Sequence, residues 1–285
     1  WKPVVGEVAL PDHLGQLWKQ DAVNRQFMQR EEQLPQSKTF ASGVEFLDIN
    51  HAADNWFLHV ETFDPHEPFF TTPEYQELYE KDYEGPLFDW PCYARVSDEE
   101  KPYVEHVRNA YAGLVTMCDI NLGKILDKMD EYELWEDTLL IVNTDHGFFL
   151  GERGWWAKTN DINLFDEVSH TPLFVYDPRS KTAGRNPNLV QTIDLAPTVL
   201  DYFQLPIPKD MMGIPLAETI ANGTPLRETC IFGVHSVRIA CTNGKQVYMH
   251  APENYDIPHY EYTLMPTHMR CMYSCLFYTS YAADQ

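Results

Sequence analysis

Two short apolar runs, Leu139-Leu-Ile-Val142 and Leu173-Phe-Val-Tyr176, restrict what this chain can become more than any other feature of it. Each is rich in β-branched or aromatic side chains and has no charged residue to face water. Such runs read as strands covered on both faces, and strands of that kind belong to a parallel sheet. Asp145 and His146 follow close behind the first run, at the C-terminal end of a strand, which is where α/β sheets carry their ligand sites. Between them and the second run stand Gly147, Gly151, Gly154, Lys158 and His170. A carboxylate beside an imidazole supplies two ligands for one divalent cation, and Lys158 can return across the loop to neutralise an anion held by that cation. An isolated Asp-His at a strand end is more often an ordinary polar terminus, so the pair takes its meaning from what surrounds it. A metal with an ammonium beside it points to an oxyanion ester.

Upstream, Leu14 to Gln33 has a loose apolar periodicity that allows a helix, and the rest of the stretch to Asp54 is irregular to helical. Asn55-Trp-Phe-Leu-His-Val-Glu-Thr62 reads as a third buried strand, followed at once by Phe63-Asp-Pro-His-Glu-Pro-Phe69. Pro65 and Pro68 predict extended backbone around His66 and place its imidazole beyond the strand end. The aromatic and proline-rich stretch from Thr72 to Asp98 is read as loop and short helix over the substrate face. Ser97-Asp-Glu-Glu100 is a capping box, and a long helix runs from it to about Tyr132. Val104, Val107, Tyr111, Leu114, Cys118, Ile125 and Met129 form its apolar stripe. This helix is the expected right-handed crossover between the His66 strand and the Asp145 strand, and it brings His66 within reach of Asp145 and His146. Farther on, Asp194 is a helix cap with Pro197 in the first turn, and two alternating runs flank an Asn243-Gly244 hairpin turn.

Forty-three acidic residues against 21 basic ones give a net charge of −22, which argues against nucleic acid or an anionic membrane as partner of the general surface. An anionic substrate then has to be drawn by local positive charge, which is feasible because surface charges are screened over about 8 Å. The six cysteines show neither a C-x-x-C pair nor zinc-like spacing, and leave the redox compartment open. No transmembrane run or signal peptide is present, and a chain that opens on Trp1 gives the second point no weight. Compartment and oligomeric state are not legible.

The run DHGFFLGERGWWAK followed by SHTPLFVYDP closely resembles a signature of the sulfatase branch of the alkaline phosphatase superfamily. Members of that branch typically read (S/T)DHG, LGEHG and W-x-K, then a strand opening with Pro-Leu. The W-A-K and H-x-P elements are most similar to the iduronate-2-sulfatase-like group. Pro65-His66-Glu67-Pro68 matches the family's P-H-x-P, and Ile193-Asp-Leu-Ala-Pro-Thr198 its I-D-L-x-P-T. Arg153 departs from the pattern, standing where the family has His.

This resemblance covers about residues 40 to 270. It implies an α/β fold with a mostly parallel sheet sandwiched by helices and a small C-terminal antiparallel subdomain. The corresponding division is residues 1–225 for the core, 226–274 for the subdomain and 275–285 for a tail resembling a translated sequencing adapter. The implied activity is hydrolysis of a sulfate ester, on a small molecule or glycan. Asp145 and His146 are then metal ligands, Lys158 binds sulfate, His66 contacts sulfate and protonates the leaving oxygen, and His170 lies at the substrate rim. The implied cation is Ca2+, with Mn2+ or Zn2+ as alternatives. The family's nucleophile is a formylglycine made from the cysteine or serine of C/S-x-P-x-R, a motif expected in a preceding N-terminal part because it does not occur here. Two ligands fall well short of the six to eight donors calcium takes, so weak metal binding and an inactive isolated chain are expected. Phosphonate monoester or phosphate diester hydrolysis is the alternative chemistry, and a non-catalytic binding domain the alternative class.

Overall fold

A computed structural model describes residues 16–158, 165–234, 238–251, 253 and 254, the side chains of 16 and 17 excepted. The readings placed on residues 1–15 and on the 275–285 tail lie outside the described residues.

Helix α1, Gln16–Arg25, is shorter than its loose periodicity allowed, and Phe27 beyond it is exposed. Helix α2, Pro35–Asn50, opens on a proline, whose missing N–H costs nothing in a first turn. The short α3, Pro73–Gln76, follows, and then the long α4, Val104–Glu131. The Ser97 capping box forms as expected: the Ser97 N–H donates to the Glu100 carboxylate and the Glu100 N–H to Ser97 Oγ. It leads first into a 3-10 turn, Lys101–Tyr103, and only then into the helix.

The apolar stripe of α4 is the spine of the core. Toward its N-terminal end Val107, Ala110, Leu114 and Met117 bury against Leu34, Phe69, Tyr75 and Trp156. Toward its C-terminal end Ile125 and Met129 meet Leu47 of α2 and Leu134, with Trp56, Leu58 and Leu140 against the same cluster. At roughly 25 cal/mol per Å² of apolar surface, covering this one stripe stabilises the fold by several kcal/mol.

The α/β class and the C-terminal antiparallel sheet are both present, but strand pairing differs from the expectation. Strand β1, Leu140–Asn143, is the first apolar run. The following hairpin consists of β2, Phe149–Leu150, and β3, Trp156–Ala157. Helix α5, Asp166–Ser169, leads to β4, Leu173–Tyr176, the second apolar run. Strands β1 and β4 pair antiparallel, Leu140 opposite Tyr176 and Asn143 opposite Leu173. A parallel pair needs a crossover that carries the chain back to the starting end of the first strand. The described residues between these strands hold only the β2–β3 hairpin and the four-residue α5, so the chain re-enters from the end it left. Nor are these strands covered on both faces, since Phe174 is 67% exposed. Residues 56–62 belong to no helix and join no ladder among the described residues, so the expected βαβ unit is not formed there.

The C-terminal part contains α6, Leu195–Tyr202, and α7, Ala217–Asn222. A meander of β5, Cys230–Val234, β6, Arg238–Thr242, and β7, Val247–His250, completes it. The Asn243-Gly244 turn between β6 and β7 has Gly244 at φ 81°, the left-handed region that this dipeptide favours. Asp194 stands at the start of α6 but does not cap it. Its fully buried carboxylate turns to Arg227 and to the N–H groups of Gln191 and Ile214, because a buried charge needs paired donors more than a helix end needs a cap. No helix among the described residues is long and apolar enough to cross a membrane.

Candidate functional site

The β2–β3 hairpin positions Lys158. Leu150 pairs with Trp156 and Phe149 with Ala157, all but Leu150 fully buried, so the residue after Ala157 is fixed in space. Ala157 has φ 66°, a left-handed conformation that costs a non-glycine residue about 1–2 kcal/mol and turns the chain sharply into Lys158. Helix α4 braces the hairpin from beneath: Arg108 Nε donates to the Leu150 carbonyl at 2.9 Å, and its Nη2 pairs with Glu152. From the other side, the Trp156 N–H donates to the Ala94 carbonyl and the Val96 N–H to the Gly154 carbonyl. These bonds draw the 92–96 segment of the aromatic connection against the hairpin and carry Tyr93 to Lys158.

His66 lies in a turn rather than in extended backbone. Its N–H donates to the Phe63 carbonyl at 3.1 Å, the peptide bonds before Pro65 and Pro68 are cis, and the ring lies against Phe63 with centroids 4.2 Å apart. The prolines fix the backbone there, but into a turn. His66 Nε2 is 2.6 Å from Lys158 Nζ, so two residues 92 positions apart in sequence meet directly. Lys158 is 14% exposed and lies 5.9 Å from the ring centroids of both Tyr93 and Phe148. Burial lowers its pKa from the usual lysine range, and the charges of Glu67 and Asp145 oppose that shift.

Asp145 and His146 stand at the end of β1, as the sequence placed them. His146 Nε2 is 3.3 Å from Asp145 Oδ2, and Asp145 Oδ1 accepts the His146 N–H. Gly147 allows this: a Cβ there would run into the Glu167 carbonyl oxygen, because the loop passes close enough for the Gly147 N–H to donate to the Val168 carbonyl. Two donors bound at right angles about 2.3 Å from one cation lie about 3.3 Å apart, so the pair fits neighbouring corners of a coordination sphere. Carboxylate oxygen with imidazole nitrogen suits a divalent cation. Among the described residues no group of three or more His, Cys, Asp or Glu side chains completes such a sphere. Asp145 acts on Lys158 through its charge, and neither it nor His146 hydrogen-bonds to Lys158 or His66. His170 is exposed just beyond α5 and is joined by no hydrogen bond or ion pair to the other four candidates. Arg153 pairs with Glu167 at 3.0 Å and covers the Phe165 ring, which ties the hairpin tip to α5.

Sequence reasoning passed over Glu67 and Tyr93. Glu67 is 2% exposed, its Oε1 accepts the Tyr93 hydroxyl proton at 2.6 Å, and its Oε2 lies 3.2 Å from His66 Nδ1 and 3.7 Å from Lys158 Nζ. The available signal was a carboxylate held between two prolines beside a candidate histidine.

Residues 13–205 match the family model described as Sulfatase, and residues 151–263 match the one described as N-sulphoglucosamine sulphohydrolase, C-terminal. An arylsulfatase of Clostridium perfringens is 25% identical over 234 residues, which are 75% of this chain and 47% of that protein. Human iduronate 2-sulfatase is 28% identical over 60% of this chain and 34% of its own length. The phosphonate monoester hydrolase of Agrobacterium radiobacter superposes with a TM-score of 0.64 at 17% identity, over 85% of this chain and 62% of that one, a likeness of fold. The chain thus spans about half or less of the length of these two sulfatases.

Proposed function

We propose, from the premise that this chain belongs to the sulfatase family, that it supplies the anion-binding and acid side of a sulfuric ester hydrolase acting on a sulfated carbohydrate. The observation that carries this reading is the contact between Lys158 and His66. A half-buried ammonium held against an imidazole gives an oxyanion charged N–H donors where water is partly excluded, and there charge-assisted hydrogen bonds are strongest.

Lys158 holds the sulfate group by charge. Its burial disfavours the ammonium, and an anion restores what burial removes. With an anion bound beside it, His66 takes up a second proton at Nε2 and gives that proton to the departing oxygen, a task suited to an imidazole, whose ordinary pKa lies near neutrality. Asp145 and His146 hold the divalent cation that the family uses, calcium with manganese or zinc as alternatives, together with donors beyond this pair. When bound, that cation acts as a Lewis acid on the ester oxygens. Exposed on the far side of α5, His170 is assigned to the rim, where it meets the alcohol part of the ester. The nucleophile of the family is a formylglycine, and the motif that forms one does not occur in these 285 residues.

Titration of this chain with a sulfated monosaccharide and with its unsulfated parent, followed by NMR at His66 and Lys158, tests the reading. Sulfate-dependent shifts at both residues, lost in Lys158→Ala, are expected. Equal responses to the two sugars would sink it. Likeness of fold to a phosphonate monoester hydrolase favours a second reading, cleavage of phosphonate or phosphate esters, which competition between methyl sulfate and methylphosphonate separates.

A further inference from the structure

A neutral imidazole has one N–H to give, and its neighbours decide which nitrogen carries it. At His66 the Nδ1 faces two oxygens of the next residue, the Glu67 carbonyl at 2.7 Å and the Glu67 carboxylate Oε2 at 3.2 Å. Both are acceptors, so the proton belongs on Nδ1. Nε2 is then a lone pair, and the Lys158 ammonium donates to it at 2.6 Å. Glu67 itself is held from behind by the Tyr93 hydroxyl at 2.6 Å. Burial, with the neighbouring Glu67 charge, raises the phenol pKa, so Tyr93 remains a donor. Oε2 of Glu67 is fully buried, makes no regular hydrogen bond among the described residues, and faces both cation-capable groups.

A carboxylate 2% exposed inside an anion-binding site needs an explanation, because by itself it repels the ligand. We propose that Glu67, anchored by Tyr93, is the positioning residue of this site: it fixes the protonated nitrogen of His66 and holds the Lys158 ammonium, so that both groups are oriented before an anion arrives. The proposal rests on the sulfate reading above only for the identity of that anion. Charge accounts for the choice of a carboxylate. Lys158 is desolvated, and among the described residues the negative groups that act on it are Glu67 from the His66 turn and Asp145 from the end of β1, with the Tyr93 phenol from the 92–96 segment beside it. Without Glu67 the buried ammonium loses a counter-charge 3.7 Å away and the imidazole loses the carboxylate that helps hold its tautomer.

The test uses this chain labelled with 15N, with inorganic sulfate as the probe and His66→Asn to assign the ring signals. In the unsubstituted chain the His66 ring should show a protonated Nδ1 and an Nε2 accepting a strong hydrogen bond. Glu67→Gln, of nearly the same shape, should move the Nε2 signal toward that of an imidazole without an ammonium partner and weaken sulfate binding about tenfold, the effect of losing one charge-assisted contact. Tyr93→Phe should move both readouts the same way by a smaller amount, and it carries the test if Glu67→Gln fails to fold. An unchanged ring signature overturns the proposal, and so does unchanged or tighter sulfate binding in Glu67→Gln. If the unsubstituted chain shows the ring signature and its response to Glu67→Gln but binds no sulfate, the sulfate reading fails and positioning by Glu67 stands.

Discussion

Asp64, two residues before His66, shows how burial alone changes a side chain. Desolvation raises its carboxyl pKa to about 6, from 3.8 in the unfolded chain. The folded state therefore binds the proton more tightly, and stability falls as pH rises from about 4 to about 6 before levelling off. Asp64→Asn removes the penalty. Thermal melts should show the variant more stable by about 2–3 kcal/mol at pH 7.5 and equal to the parent below pH 4. A pH-independent difference would mean that the effect is packing and not charge. Cys118, whose thiol is pushed up to about 12 by burial and by Asp64, stays protonated throughout this range. At the same scale, the five candidate residues were all legible as residue types, but the one contact between candidates distant in sequence is that of His66 with Lys158. The spacing of residues in a chain cannot show that His170 is exposed, because the short α5 that turns it outward is set by contacts of Phe165 and Val168.

Helix α4 was the element most readable in advance, since a capping box and a regular apolar stripe are local signals that burial reinforces. Two substitutions test its parts. Ser97→Ala should cost about 1 kcal/mol by leaving the Glu100 N–H without its hydroxyl partner. Leu114→Ala, at a fully buried position facing Phe69 and Trp156, should cost about 2–5 kcal/mol in denaturant unfolding. It should also loosen Lys158, because Trp156 belongs to the same cluster. A loss for Leu114→Ala no larger than for Ser97→Ala would contradict the place given to this helix. Helix α2 was not foreseen as a separate element. Of its buried residues, Gln36, Ser37 and Gly43 are small or polar and give no apolar signal, while Leu47 packs with Phe40 and Val44 in one cluster with α4.

Across the whole molecule the C-terminal meander is tied to the rest by a side-chain pair. Arg227, just before β5, grips Asp194, at the start of α6, through both Nη atoms at 2.5 and 2.6 Å, and Asp194 is fully buried. Arg227→Ala leaves that carboxylate without its cation and should cost about 3–5 kcal/mol. The double variant Arg227→Ala with Asp194→Asn should recover part of this. Failure of the double variant to recover any stability would show that the arginine acts by packing.

The sequence by itself determined the candidate residues and the local elements. Asp145, His146, Lys158 and His66, the capping box, the α4 stripe and the Asn243-Gly244 hairpin each depend on neighbours within a few residues, where propensity, periodicity and motif spacing carry the information. Tertiary structure alone decided that β1 and β4 run antiparallel, because direction depends on the path of the connection. It also decided that His66 meets Lys158, and that Glu67 and Tyr93 surround them. Those contacts join residues 26 and 92 positions apart, and no local rule fixes them until the 92–96 segment docks on the β2–β3 hairpin and α4 supports both.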